Sequence, residues 1–264
     1  MTSKLPLLVI VGPTAVGKTS LSIALADRYG GEIVSADSRL LYKGMDIGTA
    51  KPTVEEQAAI PHHLIDLCQP DETITLAQYQ RLAYHTIDDI HQRGCLPLLV
   101  GGTGQYVKAV VEGWGIPEVA PRRVLRHALG QLGGPELARW LAALDPEAAE
   151  RIDARNVRRV IRALEVTLVT GRPITELQRK KRPTYRIKMI GLHTDRETLY
   201  QRIDQRVDEM MASGLLAEVE SLLEAGYQAK LPAMSGLGYR QLTDYLDGVY
   251  TLEEAVERIK FETH

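Results

Sequence analysis

The chain has 264 residues, a net charge of −2, 44% hydrophobic and 25% charged residues. That balance suits one large globular domain, or a core carrying a smaller second unit, and it excludes wholesale disorder and an evenly basic nucleic-acid coat. No apolar run approaches the ~20 residues of a membrane helix. Leu5–Val11 serves better as the strand before a glycine-rich turn than as a signal segment, so a cytoplasmic protein is expected.

In chain order, Leu5–Val11 is a continuous apolar run, as expected of a strand covered on both faces. A helix follows over Lys18–Tyr29 and stops at Gly30-Gly31; Glu32–Ala36 reads as a second strand ending at Asp37, and His63–Leu67 as a third. Thr75–Arg93 has helical period, with Leu76, Tyr79, Leu82, Ala83, Ile87 and Ile90 on one face. Leu96–Val100 is another buried strand, running into Gly101-Gly102-Thr103-Gly104. Strands alternating with helices predict a parallel α/β sheet. After Pro117 the strand-like runs vanish, and Val124–Leu132, Pro135–Leu144 and Asn156–Thr170 are helical in period. The expected organisation is a core of residues 1–118 and 185–264 with a helical insertion at 119–184. Arg186–Leu192 resumes a strand, and Thr194–Glu197 and Thr251–Glu254 are capping boxes opening the closing helices.

Cys68 and Cys95 stand in no C-x-x-C spacing, and the adjacent His62 and His63 would face opposite ways on a strand. Buried thiols in a reducing compartment are expected, and no structural zinc site. Charge is unevenly spread. From Arg151 to Lys188, twelve Lys/Arg against three acids leave this block at +9 and the rest of the chain at −11. A basic block in an acidic chain marks a polyanion partner, or else a solvated helical face.

Gly12-Pro13-Thr14-Ala15-Val16-Gly17-Lys18-Thr19 fits G-x-x-x-x-G-K-[ST] between strand and helix. Backbone N–H groups and the helix N-terminus there face a polyphosphate, Lys18 adds a mobile charge, and the Thr19 hydroxyl is placed for Mg²⁺. Asp37 ends the next strand, where a carboxylate serves a metal through water, accepts a proton, or shapes a turn. Thr103 leaves a third strand end, as a ligand contact or a helix cap. Arg202 and Arg206 lie four apart on one helix face, as charge over the phosphates or as surface charge.

Taken together, G-P-T-A-V-G-K-T, the stretch Ser35–Pro52, V-G-G-T-G-Q-Y (Val100–Tyr106), R-V-I-R-A-L-E-V (Arg159–Val166) and G-L-G-Y-R-Q (Gly236–Gln241) resemble the bacterial tRNA dimethylallyltransferases, also called tRNA isopentenyltransferases. The resemblance runs from Leu8 to Thr263 and implies a P-loop NTPase-like core. It also implies transfer of a dimethylallyl group from its diphosphate to the N6 amine of the adenosine just 3′ of the anticodon in tRNA. On that resemblance, Gly12, Pro13, Thr14, Ala15, Val16, Gly17, Lys18 and Thr19 form the diphosphate cradle with Arg206, and Thr19 stands beside Mg²⁺. Asp37 matches the general base, with Lys18 and Thr103 as its catalytic company. The anticodon arm of tRNA is matched by Asp37, Ser38, Arg39, Leu40 and Thr103, by Arg126, and by Arg158, Arg159, Val160, Ile161 and Arg162. A further such stretch holds Gly238, Tyr239 and Arg240. Leu40 departs from the glutamine of many members, the loop around Arg126 differs in length, and members continue beyond the position of His264 with a basic, aromatic segment.

From the residues alone, three other readings stay open. A small-molecule kinase using ATP leaves the basic insertion idle, as does prenylation of a free adenine nucleotide. An RNA-binding module that only senses nucleotide predicts tRNA binding without product.

Overall fold

The computed structural model describes residues 4–264, so the first three residues of the expected core lie outside the described residues. In chain order the elements are β1 (Pro6–Val11), α1 (Lys18–Tyr29), β2 (Gly31–Ser35), α2 (Val54–Ala59), β3 (His62–His63), α3 (Leu76–Gln92), β4 (Leu96–Gly101) and α4 (Gly104–Glu112). Then come α5 (Arg123–Gly130), α6 (Gly134–Leu144), α7 (Pro146–Arg151), α8 (Val157–Thr170), α9 (Ile174–Leu177) and β5 (Arg186–Gly191). The closing helices are α10 (Arg196–Ala212), α11 (Leu215–Glu224), α12 (Tyr239–Leu246) and α13 (Leu252–Thr263). The chain divides into a core unit, residues up to Val107 with Thr184–His264, and a helical unit, Lys108–Pro183.

In the core unit the five strands are all parallel, in the order β3-β2-β4-β1-β5. Ile10, Ile33 and Leu98 project from one sheet face into a cluster with Ala26 of α1. The pleat turns Val9, Val34 and Leu99 to the other face, all fully buried. The buried stripe of α3 includes Tyr79, Ala83, Ile87 and Ile90, and the Tyr79 hydroxyl donates to Ser35 O at 2.9 Å, tying α3 to the end of β2. Each such buried aliphatic side chain contributes roughly 1.5–3 kcal/mol of transfer free energy. β5 is an edge strand, with Arg186, Lys188, Met189 and Gly191 exposed.

The observed elements differ from the sequence reading at four places. β3 ends at His63 instead of Leu67, because Leu64 and Asp66 take left-handed φ of 59° and 53° that no strand tolerates. The Thr53–Glu56 capping box opens α2, a short helix without a buried face and so without the apolar period that announces one. The cap of α10 is Asp195, which accepts from Thr198 N at 2.8 Å; the box expected from Thr194 is displaced by one residue. Cys68 is buried, but Cys95 is partly exposed.

The helical unit gathers around α8. Asn156 caps its start by accepting from Arg159 N at 3.2 Å, and left-handed Gly171 (φ 68°) ends it. Leu129, Leu137, Leu141, Val160, Leu164 and Val166 form the core there. Asp145 joins α7 to α9, accepting from Ala148 N at 3.0 Å and from the Thr175 hydroxyl and amide at 2.8 and 3.0 Å.

Candidate functional site

Three loops leave the carboxyl ends of the neighbouring strands β2, β4 and β1. The turn after β1 is drawn tight: a Cβ on Gly12 would lie 2.7 Å from Leu192 O and 2.9 Å from Val16. Gly17, the residue before α1, has φ of 99°, and Ala15 is held at φ of 59°, a conformation unfavourable for a residue with a Cβ. Lys18 folds back over the turn and donates to Pro13 O at 2.6 Å.

After β2, Asp37 closes an Asx turn: its Oδ1 accepts from Arg39 N at 2.9 Å. The loop after β4 must pass β2 closely, since a Cβ on Gly101 would lie 2.2 Å from Ala36 O. The Thr103 hydroxyl turns to the loop after β2, accepting from Ser38 N at 3.0 Å and donating to Ser38 Oγ at 3.3 Å. The position of a Gly102 Cβ is 3.9 Å from Lys18 Nζ and 4.0 Å from Asp37 Oδ2, so the three loops converge within one small volume.

Two adjoining cavities open here. The first, about 390 Å³, is lined by Thr14, Lys18, Thr19, Asp37, Leu40, Arg202 and Arg206, with Ala15 and Gly17 of the turn. The second, about 270 Å³, is lined by Arg39, Ile203, Val207, Met210 and the segment Ser235–Tyr239, which includes Gly238. Thr14, Asp37, Thr49 and Arg206 border both. Gly12, Pro13 and Val16 shape the turn without lining either; Val16 is buried.

Burial lowers the Lys18 pKa below the ordinary lysine value; Asp37 opposes that shift and Arg206 adds to it. Arg206 is lowered by burial too, against the pull of Asp37 and Glu209. Neither Lys18 nor Arg206 makes an ion pair among the described residues. Two desolvated cations facing an open cavity repel one another, and an anionic ligand relieves that cost.

The other candidate residues are placed unequally. The Arg39 guanidinium donates to Pro232 O at 2.9 Å and Ala233 O at 3.2 Å, so it fastens a loop of the cavity wall. Tyr239 is buried at the cavity wall, and Arg240 pairs with Glu262 at the surface. In the helical unit Arg158 and Arg159 are exposed, with no side-chain partner among the described residues. Val160 is 1% exposed, and Ile161 packs against the same core. Arg126 and Arg162 both bind the buried Glu165. Sequence reasoning passed over Thr49 and Gln205 as lining residues. Thr49 sits within the distinctive stretch Ser35–Pro52, the one signal that could have found it.

A phosphate-cradling turn between the first strand and first helix of a parallel sheet, with a carboxylate at the end of a neighbouring strand, defines a P-loop NTPase-like α/β protein. Residues 40–264 match the family model of the IPP transferases. The tRNA dimethylallyltransferase of Roseiflexus sp. (strain RS-1) is 56% identical over 264 residues, 98% of this chain and 87% of its own length. That of Thermomicrobium roseum is 52% identical over 268 residues, 100% of this chain and 82% of its own. Among solved structures, the tRNA isopentenylpyrophosphate transferase of Bacillus halodurans is 44% identical with a TM-score of 0.72, covering 98% of this chain and 83% of that one. A eukaryotic dimethylallyltransferase captured acting on tRNA is 30% identical with a TM-score of 0.85, covering 98% and 67%. This chain belongs to the IPP transferase family, the tRNA dimethylallyltransferases.

Proposed function

We propose that this chain transfers a dimethylallyl group from dimethylallyl diphosphate to the N6 amine of the adenosine on the 3′ side of the anticodon in tRNA. The observation that carries the reading is the meeting of the two cavities at Thr14, Asp37, Thr49 and Arg206. The first cavity holds the cradle and its unpaired cations and takes the donor. The second, walled by Ile203, Val207, Met210 and Gly236–Tyr239, takes the acceptor base, which leaves its stack to reach it. Asp37 borders both.

In the reaction the C1–O bond of the donor breaks, C1 bonds to N6, diphosphate departs, and the amine proton passes to Asp37. Lys18, Arg206 and the backbone N–H groups of the turn stabilise the charge that develops on the departing diphosphate. Asp37 raises the nucleophilicity of a weak aryl amine by accepting its proton as the new bond forms. Thr103 holds Ser38 N and so the backbone just after Asp37, which makes it a positioning residue in this reading.

Mg²⁺ fits the residues present. The Thr19 hydroxyl borders the cavity without a protein partner, and no group of three or more acidic, His or Cys side chains is assembled among the described residues. Mg²⁺ characteristically takes a few protein ligands together with substrate phosphates and water. When bound, it neutralises charge on the diphosphate.

The helical unit is proposed to hold the tRNA, with Arg158 and Arg159 as its phosphate contacts. The decisive experiment incubates protein, Mg²⁺, dimethylallyl diphosphate and unmodified tRNA, then digests the RNA and weighs its nucleosides. A gain of one isopentenyl group on adenosine is expected. ATP-dependent phosphoryl transfer without RNA, in place of that product, would replace this reading with a kinase.

A further inference from the structure

The loop Asp46–Pro52 supplies part of the wall between the cavities: Gly48 and Thr49 border one, Thr49, Ala50 and Pro52 the other. It is a strained segment, with Ala50 at a left-handed φ of 48°. A non-glycine residue persists there only where the surroundings over-determine the backbone. Ala50 N itself donates to Ile47 O at 2.9 Å, and the residues just before it are braced by a carboxylate distant in sequence. Glu218 of α11 accepts from Asp46 N at 2.8 Å and Ile47 N at 2.7 Å through Oε2, and from Gly48 N at 3.1 Å through Oε1. Three successive amides thus form an anion-binding nest, filled by the protein's own side chain. Oε1 also accepts the Tyr239 hydroxyl at 2.6 Å, and Tyr239 lines the second cavity. Its ring seals the loop, since a Cβ on Gly48 would lie 2.6 Å from ring carbons. Within the loop, Thr49 Oγ1 donates to Met45 O at 2.6 Å, and Lys51 pairs with Asp46 and Asp66.

We infer that Glu218 is a positioning residue for the transfer reaction: by joining the Asp46–Gly48 nest to Tyr239, it holds the donor wall and the acceptor wall at one mutual spacing. The inference rests on the assignment of the two cavities to donor and acceptor. Its physical content is that catalysis depends on the spacing of reactants more steeply than binding does. A misplacement near 1 Å costs as much as ~10²-fold in rate, while the phosphate cradle, which Glu218 does not touch, keeps its affinity.

The test compares Glu218→Gln and Gly48→Ala with the unaltered enzyme. Glutamine keeps the length but offers N–H groups to a nest of N–H groups. Gly48→Ala leaves the carboxylate in place and pushes the same wall through the Tyr239 ring. Each variant is measured for kcat and KM with dimethylallyl diphosphate and tRNA, for inorganic pyrophosphate binding by calorimetry, and for melting temperature. Both variants are expected to lose about ten- to a hundred-fold in kcat, with pyrophosphate affinity within about three-fold of the unaltered enzyme. Unchanged kcat beside a lowered melting temperature overturns the inference in favour of a merely structural contact. Parallel loss of kcat and pyrophosphate affinity overturns it too, by showing that the loop supports the cradle. Absence of isopentenyladenosine from the unaltered enzyme would instead refute the cavity assignment itself.

Discussion

Two groups of cations, one in each unit, have opposite fates. In the core unit Lys18 and Arg206 border a cavity with no carboxylate paired to either, and burial depresses the pKa of both. In the helical unit Arg126 and Arg162 close on Glu165, whose side chain is 0% exposed. Arg126 reaches it through Nε and a terminal nitrogen at 2.8 and 2.7 Å, Arg162 at 2.7 Å, and the Arg122 amide at 2.7 Å. Arg162 also donates to Val119 O at 3.0 Å. Burial alone would raise the Glu165 pKa, but these donors hold it at about 2. Unpaired, desolvated cations wait for a ligand, whereas paired ones hold a fold. Both groups look alike as letters, and the family resemblance that matches Arg126 and Arg162 to RNA contacts carries no sign of their pairing with Glu165.

The comparison can be broken or sharpened by substitution. The largest effect is expected at Asp37, which borders both cavities. Asp37→Asn keeps shape but cannot take the amine proton, so single-turnover transfer should slow by roughly 10²–10⁴-fold, about 3–5 kcal/mol of barrier. Donor affinity should stay within a few fold. Weakened donor binding that extra Mg²⁺ restores would move Asp37 to the metal, and a normal rate would leave it only its Asx turn.

Next is Glu165. Glu165→Ala takes the buried carboxylate away from two guanidinium groups whose side chains are 40% and 35% exposed, and should cost about 1.5–3 kcal/mol of stability, read from hydrogen exchange of amides 108–183 in a urea series. Because the folded-state pKa is depressed to about 2 from 4.5, this stabilisation is present above about pH 4.5 and lost as pH falls through about 2. Glu165→Gln should flatten that acid limb. An unchanged pH profile in the Gln variant would show that Glu165 is not the group being titrated.

Lys18→Met should weaken pyrophosphate binding by about 2 kcal/mol, or roughly 30-fold, as for a lost charge-assisted hydrogen bond. Since the protonated amine is the binding form and burial lowers its pKa, affinity should decline with rising pH sooner than an ordinary lysine would make it. Calorimetry across the alkaline range checks both, and a pH-independent affinity would assign the binding to the backbone turn.

The smallest effect is expected at Arg158 and Arg159. Replacing both with Ala should weaken tRNA binding and lower its log–log salt slope by about 0.9 or less per contact, leaving stability and pyrophosphate affinity unaltered. Arg126→Ala and Arg162→Ala should do the reverse, lowering the stability of the helical unit first. Equal salt slopes in all three variants would erase the distinction between paired and free arginines.

Much of the molecule is set by local chemistry and was therefore legible in sequence. The run Leu5–Val11 followed by G-x-x-x-x-G-K-T determines strand, turn and helix, because apolar burial, glycine dihedrals and helix period act over a few residues. The convergence of Lys18, Asp37 and Thr103 followed from the rule that parallel strands present their carboxyl ends at one edge. What no local rule contains is pairing across long separations. That Thr103 holds Ser38 N, that Arg39 holds Pro232 O, that Glu218 fills the nest at Asp46–Gly48, and that Glu165 claims two arginines was decided by tertiary structure alone. A charge or hydroxyl becomes binding, catalytic or structural according to the donor or acceptor that folding brings within about 3 Å of it, and a residue's own neighbours in sequence do not specify that partner.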